Sequence, residues 1–294
     1  MFEKLKANIL FHRILKRPNI EKAYAMVGPE DSWYDTITKV HNSLAEIQRL
    51  PHEILEISSH DCLKLKGVYY PGDSDKTVIC CHGYTSHGER EWAFPGLFYH
   101  SMGFNVLIPY QRAHGLSEGK YLSFGALEHK DMMRWVDRIN EMYPNGQILI
   151  HGLSMGGGIV LCLASKKMQN VKCLISDAPN DSIEGFLRGV NGRVFKQNAV
   201  WVYPHLRSRF QKEFGCDPAD FDYTRSMAYC QYPILLCAGE NEHLDKLFRL
   251  LKYQNTMDTE VVILPGCNHG NGMYKQTEMY QGAIKAFVAK HMTL

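Results

Sequence analysis

The sequence predicts an α/β protein in which helices cover both faces of a mostly parallel, doubly wound sheet. The first observation is a series of short apolar segments that lack the polar–apolar alternation of half-exposed strands. The second is that helical patterns, clearest over 124–143 and 276–292, separate or follow these segments. The apolar segments lie at 77–81, 104–109, 147–152, 172–176, 233–239 and 260–264.

The first 50 residues are predicted to form a helical extension ahead of this sheet. Helical patterns there are interrupted near Pro18 and at Gly28-Pro29. Two alternating segments, 53–58 and 63–70, then begin the strands. We expect the basic amphipathic N-terminal helix to dock on the body of the protein. The alternative, a weak contact with an anionic membrane surface, stays open.

A second addition is predicted at 178–231, between two strands. This interval contains helical fragments rich in aromatic residues and no good strand. Connections of this length are usually functional or inserted substructures. We therefore predict one α/β domain over 1–294, with a helical lid inserted above the carboxyl ends of its strands.

Composition excludes several classes of protein. With 45% hydrophobic residues and a net charge of +2, the 294-residue chain is neither disordered nor suited to binding nucleic acid. None of its apolar runs is long enough to span a membrane. The nine cysteines form no C-x-x-C pair and sit mostly in apolar runs, which predicts buried reduced thiols and a cytoplasmic protein. No metal site and no cofactor are expected, because no residues have metal-ligand spacing.

The strongest chemical motif follows the apolar segment 147–152. Gly152-Leu153-Ser154-Met155-Gly156 is a G-x-S-x-G pattern between a predicted strand and a predicted helix. A nucleophilic serine there must occupy a sharp turn, and only small residues fit two positions before and after it. The pattern predicts Ser154 as a catalytic nucleophile.

A second loop, after the apolar segment 77–81, is predicted to help bind an oxyanion. Acyl transfer needs two backbone N–H groups directed at the developing negative charge. Met155 supplies one as the residue after the nucleophile, and Tyr84 in His82-Gly83-Tyr84 is the best candidate for the other. We expect His82 to hold this loop rather than to act as the base.

The base and the acid are predicted after the last two strands. His269 lies in a loop between the final strand and the final helix, which is the place for a general base in the chain order serine, acid, histidine. Glu242 is the first choice for the acid by position. Asp245, Glu240 and Asp177 remain alternatives.

At these motifs the sequence resembles the α/β-hydrolase superfamily. Within it, the chain is similar to the bacterial serine hydrolases loosely labelled serine aminopeptidase-like or lysophospholipase-like. The resemblance covers about 53–292, and its motifs are HGYTSH (82–87), QRAHGLSEGKYLSFG (111–125), GLSMGG (152–157), SDAP (176–179), CAGENE (237–242) and CNHGNGMY (267–274). The chain departs from the family pattern where Tyr110 stands in place of the Asp that begins D-x-R-G-H-G, whereas Arg112 and His114 match it. It departs again at Glu242, where the acid is usually Asp.

The sequence therefore predicts a serine hydrolase that cleaves a small-molecule carboxylic ester. Trp92 and Phe94 are candidate substrate-binding residues, and with the aromatic lid they favour an apolar acyl or aryl group. A peptidase or amidase on the same triad would need a carboxylate to bind the substrate amine. Glu89, Glu91 and Glu184 are weak candidates for it. A non-catalytic binding protein on this scaffold is the third hypothesis.

Overall fold

A computed structural model describes residues 2–20, 33–254 and 258–293. The described residues form one eight-stranded sheet in the order β1-β2-β4-β3-β5-β6-β7-β8. The strands are β1 (Glu53–Ser58), β2 (Lys64–Tyr70), β3 (Lys76–Cys81), β4 (Asn105–Pro109), β5 (Gln147–Leu153), β6 (Val171–Asp177), β7 (Ile234–Gly239) and β8 (Thr259–Leu264). β1, β2 and β4 pair antiparallel, and β4, β3 and the strands beyond pair parallel.

The predicted fold class is confirmed, since every predicted strand is present within one or two residues of its expected bounds. The α-helices among the described residues are α1 (Phe2–Leu15), α2 (Ile37–Ile47), α3 (Gly88–Ser101), α4 (Glu128–Met142), α5 (Met155–Leu163), α6 (Ile183–Phe195), α7 (Ala199–Phe214), α8 (Tyr223–Ala228), α9 (Leu244–Lys252), α10 (Gly272–Lys275) and α11 (Thr277–His291).

The sheet is buried on both faces, which explains its non-alternating strands. Successive residues of β3 belong to two different cores: Ile79 and Cys81 pack with α1, α4 and α5, whereas Val78 and Cys80 pack with α2, α3 and α11. Successive residues of a strand point to opposite faces of the sheet. Because an apolar core covers each face, residues at successive positions are apolar.

Both predicted additions are helical where the structure describes them. The N-terminal extension contains α1, which ends at Leu15 before Pro18, and α2, which packs on α3; Gly28-Pro29 lies outside the described residues. The interval 178–231 contains α6, α7 and α8. α7 packs along α1, and α8 packs on α5 and α9.

The nine cysteines form no disulfide, and seven of them are buried. Burial raises the pKa of thiols such as Cys81 and Cys173, which disfavours the reactive thiolate. None of the helices in the described residues has the length and apolar character of a membrane span.

Candidate active site

Ser154 occupies the turn between β5 and α5 in a strained backbone conformation. Its φ of 58° and ψ of −111° lie outside the regions that side chains ordinarily adopt. A Cβ added to Gly152 would overlap the Gly156 carbonyl, and one added to Gly156 would overlap the Cys81 carbonyl. The two glycines are therefore required for the chain to turn so sharply that Ser154 stands clear of the sheet.

The structure brings Ser154, His269 and Glu242 into one hydrogen-bonded series. His269 Nε2 lies 2.8 Å from Ser154 Oγ, and His269 Nδ1 lies 2.6 Å from Glu242 Oε2. An ionised carboxylate can only accept, so Nδ1–H donates to Glu242 and Nε2 accepts the serine proton. The other oxygen, Glu242 Oε1, accepts from the Gly239 N–H at 2.8 Å and is held in place by it.

The three alternative acids have other surroundings. Glu240 Oε2 accepts from the Gly266 N–H at 2.8 Å. Asp245 is exposed in the first turn of α9. Asp177 is buried beneath the site, and its Oδ2 accepts from the Tyr280 hydroxyl at 2.7 Å. Among these four carboxylates, Glu242 is the one that forms a hydrogen bond with His269 in the described residues.

The loop after β3 passes directly beside Ser154. The Gly83 N–H donates to Glu91 Oε1 at 2.7 Å, and a Cβ on Gly83 would lie 3.5 Å from that of Ser154. His82 is buried, and its Nε2 accepts from the Gln111 N–H at 3.1 Å. These contacts hold the loop at His82 and at the Gly83 N–H, as expected for a structural role of His82.

The two amides proposed for the oxyanion lie at this point. Tyr84 and Ser154 line the same cavity, and Met155 follows the nucleophile as the first residue of α5. Neither the Tyr84 nor the Met155 N–H donates to an acceptor within the described residues. Both remain able to donate to a substrate oxygen.

A cavity of about 250 Å³ opens onto Ser154. Its walls are mainly apolar or aromatic, but the predicted lid 178–231 contributes none of its lining among the described residues. One wall comes instead from the N-terminal extension: Trp33, Thr36, Ile37, Val40 and His41. Phe186 of the predicted lid packs against Tyr84, with ring centroids 6.4 Å apart. The sequence-based assignment of the pocket wall to the lid is therefore corrected.

Trp33 connects the N-terminal wall to the base. Its indole Nε1 donates to the His269 carbonyl at 3.2 Å, and its ring packs edge-on against Tyr274 at 5.6 Å. α2, which follows, packs on α3 and so faces the cavity with Ile37 and Val40. Sequence reasoning missed these wall residues because no motif surrounds them.

The predicted substrate-binding roles of Trp92 and Phe94 are not supported by their positions. Trp92 is fully buried against His151, with ring centroids 4.8 Å apart. Phe94 stacks on Tyr274 at 5.4 Å, and Lys39 Nζ lies 4.0 Å from its ring centroid. Neither residue lines the cavity. Both side chains of α3 are used in packing, Trp92 against His151 and Phe94 against Tyr274. Tyr274 itself lines the cavity.

Negative groups around His269 make it a stronger base. Burial alone would lower the pKa of His269, but the hydrogen bond and charge of Glu242 and the charges of Asp177 and Glu91 raise it above its ordinary value. Burial raises the pKa of Asp177 to about 7, which the Tyr280 hydrogen bond partly opposes. Burial likewise raises the pKa of Glu91 to about 7.

We expect Glu91→Gln to move the acidic limb of the kcat/KM profile to lower pH. The base must be neutral, so activity falls as the pH drops through the pKa of His269. Because the pKa of Glu91 is about 7, this carboxyl carries part of a negative charge where His269 titrates, and its removal lowers the pKa of His269 by a small amount. The amide oxygen of glutamine can still accept from Gly83. Glu240→Gln is the matched control, since Glu240 bonds Gly266 instead. If the acidic limb of Glu91→Gln stays at the wild-type pH or moves to higher pH, this account is contradicted.

Residues 76–215 match the model of the α/β hydrolase fold family. The protein YqkD of Bacillus subtilis is 33% identical over 126 residues, which are 42% of this chain and 41% of that protein. The chain thus matches less than half the length of this relative.

Solved structures resemble the chain over most of its length. The esterase Pf2001 of Pyrococcus furiosus has a TM-score of 0.67 at 23% identity, covering 91% of this chain and 96% of that one. Est1E of Butyrivibrio proteoclasticus, solved with ferulic acid, has a TM-score of 0.63 at 19% identity, covering 82% and 100%. A proline iminopeptidase of Mycobacterium smegmatis has a TM-score of 0.59 at 12% identity, covering 81% and 98%. At these identities the likeness concerns the fold.

Proposed function

We propose that this chain, a member of the α/β-hydrolase superfamily, is a serine hydrolase that cleaves carboxylic esters through an acyl-enzyme on Ser154. The observation that carries the proposal is the series of hydrogen bonds from Ser154 Oγ to His269 and from His269 to Glu242, at 2.8 and 2.6 Å. Nucleophile, base and orienting acid each lie at hydrogen-bond distance from the next.

The proposed reaction has two halves. Ser154 Oγ attacks the ester carbonyl as His269 Nε2 takes its proton, and Glu242 stabilises the imidazolium. The Tyr84 and Met155 amides donate to the oxyanion of the tetrahedral intermediate. His269 then protonates the departing alcohol and leaves the acyl group on Ser154. Water attacks this acyl group with His269 again as the base, which releases the carboxylic acid and regenerates Ser154. This chemistry needs no cofactor.

The cavity supports an apolar acyl or aryl group as the preferred acyl part of the ester. Ile37, Val40 and Leu153 contribute aliphatic walls, and Trp33 and Tyr274 contribute aromatic ones. Pockets of this kind bind ligands mainly through buried apolar area, with a few polar groups that fix orientation. Two proteins with similar folds, Pf2001 and Est1E, support the esterase part of the proposal: the first is an esterase, and the second was solved with ferulic acid bound.

The direct test is labelling with a fluorophosphonate, combined with a panel of short, long and aromatic acyl esters. We expect one label per chain on Ser154 and turnover of the apolar esters, with Ser154→Ala as the blank. If the folded protein leaves Ser154 unlabelled, the enzyme hypothesis fails and a non-catalytic binding protein on this scaffold is favoured.

Filling the cavity from its N-terminal wall should change acyl-chain preference. We expect Ile37→Trp to lower kcat/KM for long acyl esters by about tenfold or more relative to the acetate ester, because pocket contacts of this size discriminate by 1–3 kcal/mol. Val194→Trp is the control, since Val194 is an exposed residue of α6 that does not line the cavity. An equal effect of the two variants would refute the assigned wall.

An amide-cleaving enzyme remains the second candidate, because Glu91 places a carboxyl group in the cavity. The other two sequence candidates are engaged elsewhere: Glu89 accepts from the Tyr70 and Tyr110 hydroxyls, and Glu184 pairs with Arg188. Glu91 itself accepts from Gly83, and its raised pKa weakens it as an ammonium partner near neutral pH. Faster turnover of aminoacyl anilides than of acyl esters, lost in Glu91→Gln, would favour this candidate.

A further inference from the structure

We propose that the outer face of α1, together with the adjoining side of α7, docks the protein on a membrane surface containing anionic lipid. Three features carry the proposal: an exposed apolar stripe, a basic cleft beside it and an excess of positive charge along the helix. The proposal does not depend on the reaction at Ser154.

The stripe consists of Phe2, Leu5 and Ile9, whose spacing places them on one face of α1. Their exposed fractions are 71%, 57% and 59%. The opposite face is already packed in the core through residues such as Leu10 and Phe11. The side chains of the stripe therefore take no part in packing α1 on the protein. Clusters of exposed apolar side chains of this kind mark interaction surfaces.

Helix α7 extends the apolar surface. α7 lies along α1, with Phe11 and Phe214 rings 6.0 Å apart. Trp201 near the start of α7 is 68% exposed. It precedes His205 by one helical turn, so it lies on the side of α7 that faces the cleft next to α1. Tryptophan at such a position suits the boundary between lipid headgroups and acyl chains.

The cleft between the two helices suits a phosphate-bearing headgroup. It encloses about 480 Å³, and its lining includes Lys4, His205, Arg209 and Lys212, with Glu213 as its acidic member. Arg209 is paired with Glu213, which leaves Lys4 and Lys212 to attract an anion. Lysine side chains beside an apolar stripe are the pattern of helices that lie in a membrane interface.

Charge favours lipid over a second copy of the chain as the occupant. Residues 2–17 carry five Lys or Arg residues and a single acidic residue, Glu3. A symmetric dimer through this face would bring two such surfaces together, and like charges would oppose it. An anionic bilayer instead attracts each basic residue near its surface by about 1 kcal/mol.

The C-terminal end of α1 lies near the loop that borders Ser154. The Leu122 N–H donates to the Leu15 carbonyl of α1 at 2.9 Å, and Phe124, two residues further on, packs against Tyr84 with ring centroids 5.0 Å apart.

Co-sedimentation of the full chain with vesicles tests the proposal. We expect binding to vesicles of phosphatidylcholine mixed with phosphatidylglycerol, weak binding to phosphatidylcholine alone, and loss of binding at high salt. The double variant Leu5→Glu/Ile9→Glu should bind the mixed vesicles at least about tenfold more weakly.

Phe248→Glu is the matched control, because Phe248 on α9 is 53% exposed outside this surface. Far-ultraviolet circular dichroism and the Tm show whether each variant is folded, and Leu5→Lys preserves positive charge if the double variant unfolds. The proposal fails if the wild-type protein does not bind the anionic vesicles. It also fails if Phe248→Glu weakens vesicle binding as much as the double variant does. It also fails if the stripe variants abolish a dimer without affecting lipid binding.

Discussion

Replacing Ser154 by alanine is expected to lower kcat for ester hydrolysis by about a millionfold, because removing a triad nucleophile abolishes the covalent route and leaves only binding and oxyanion stabilisation. Alanine removes one oxygen from a turn that Gly152 and Gly156 continue to shape, so the fold should be retained. Steady-state kinetics with an activated ester, together with the loss of fluorophosphonate labelling, measures the effect.

Ser165→Ala is a suitable control, since Ser165 lies beyond α5 and does not line the cavity. It should keep wild-type kcat and labelling. A Ser154→Ala protein that is folded by circular dichroism and still turns over ester within tenfold of wild type would remove the nucleophile from the proposal.

Replacing Glu242 by alanine is expected to lower kcat by about 10⁴-fold, since loss of a triad acid alone has an effect of this order. Glu242 fixes the His269 tautomer with Nδ1 protonated and stabilises the imidazolium at a contact of 2.6 Å. Its removal also takes away the hydrogen bond and charge that raise the pKa of His269, so the residual activity should persist to lower pH.

The three other carboxylates provide the controls for this assignment. Asp245→Ala, at an exposed site, should leave kcat near wild type. Glu240→Ala should change kcat only as far as the loss of its hydrogen bond to the Gly266 N–H disturbs the neighbouring loop. Asp177→Asn should alter the pH profile more than the rate, because Asp177 bonds Tyr280 rather than His269. If Asp245→Ala or Asp177→Asn slowed turnover as much as Glu242→Ala, Glu242 would not be the triad acid.

The strands and the position of Ser154 could be predicted because their physical causes are local. A strand buried on both faces needs apolar residues at successive positions, as in β3 and β6, and this pattern is visible without knowing what covers it. The turn at Ser154 requires a small residue two positions before it and another two positions after it, so five adjacent residues suffice to identify it.

The sequence left the identity of the triad acid open, because Glu240, Glu242 and Asp245 all follow within a few residues of the end of β7. Which of them reaches His269 depends on side-chain direction. The turn after β7 directs Glu242 inward to the Gly239 N–H and His269, while Glu240 is drawn to Gly266. Sequence order cannot distinguish these directions, since all three residues satisfy it.

The sequence by itself determined the fold class, the strand positions and the candidate nucleophile, base and oxyanion loop of this protein. The tertiary structure alone decided which carboxylate meets His269, and it assigned a cavity wall to Trp33, Ile37 and Val40 rather than to the predicted lid. The physical reason is the distance along the chain over which each requirement acts. Turns and buried strands constrain residues that are neighbours in sequence. The cavity wall, in contrast, forms where α2 packs on α3, and it contacts His269, which lies more than 200 residues further along the chain.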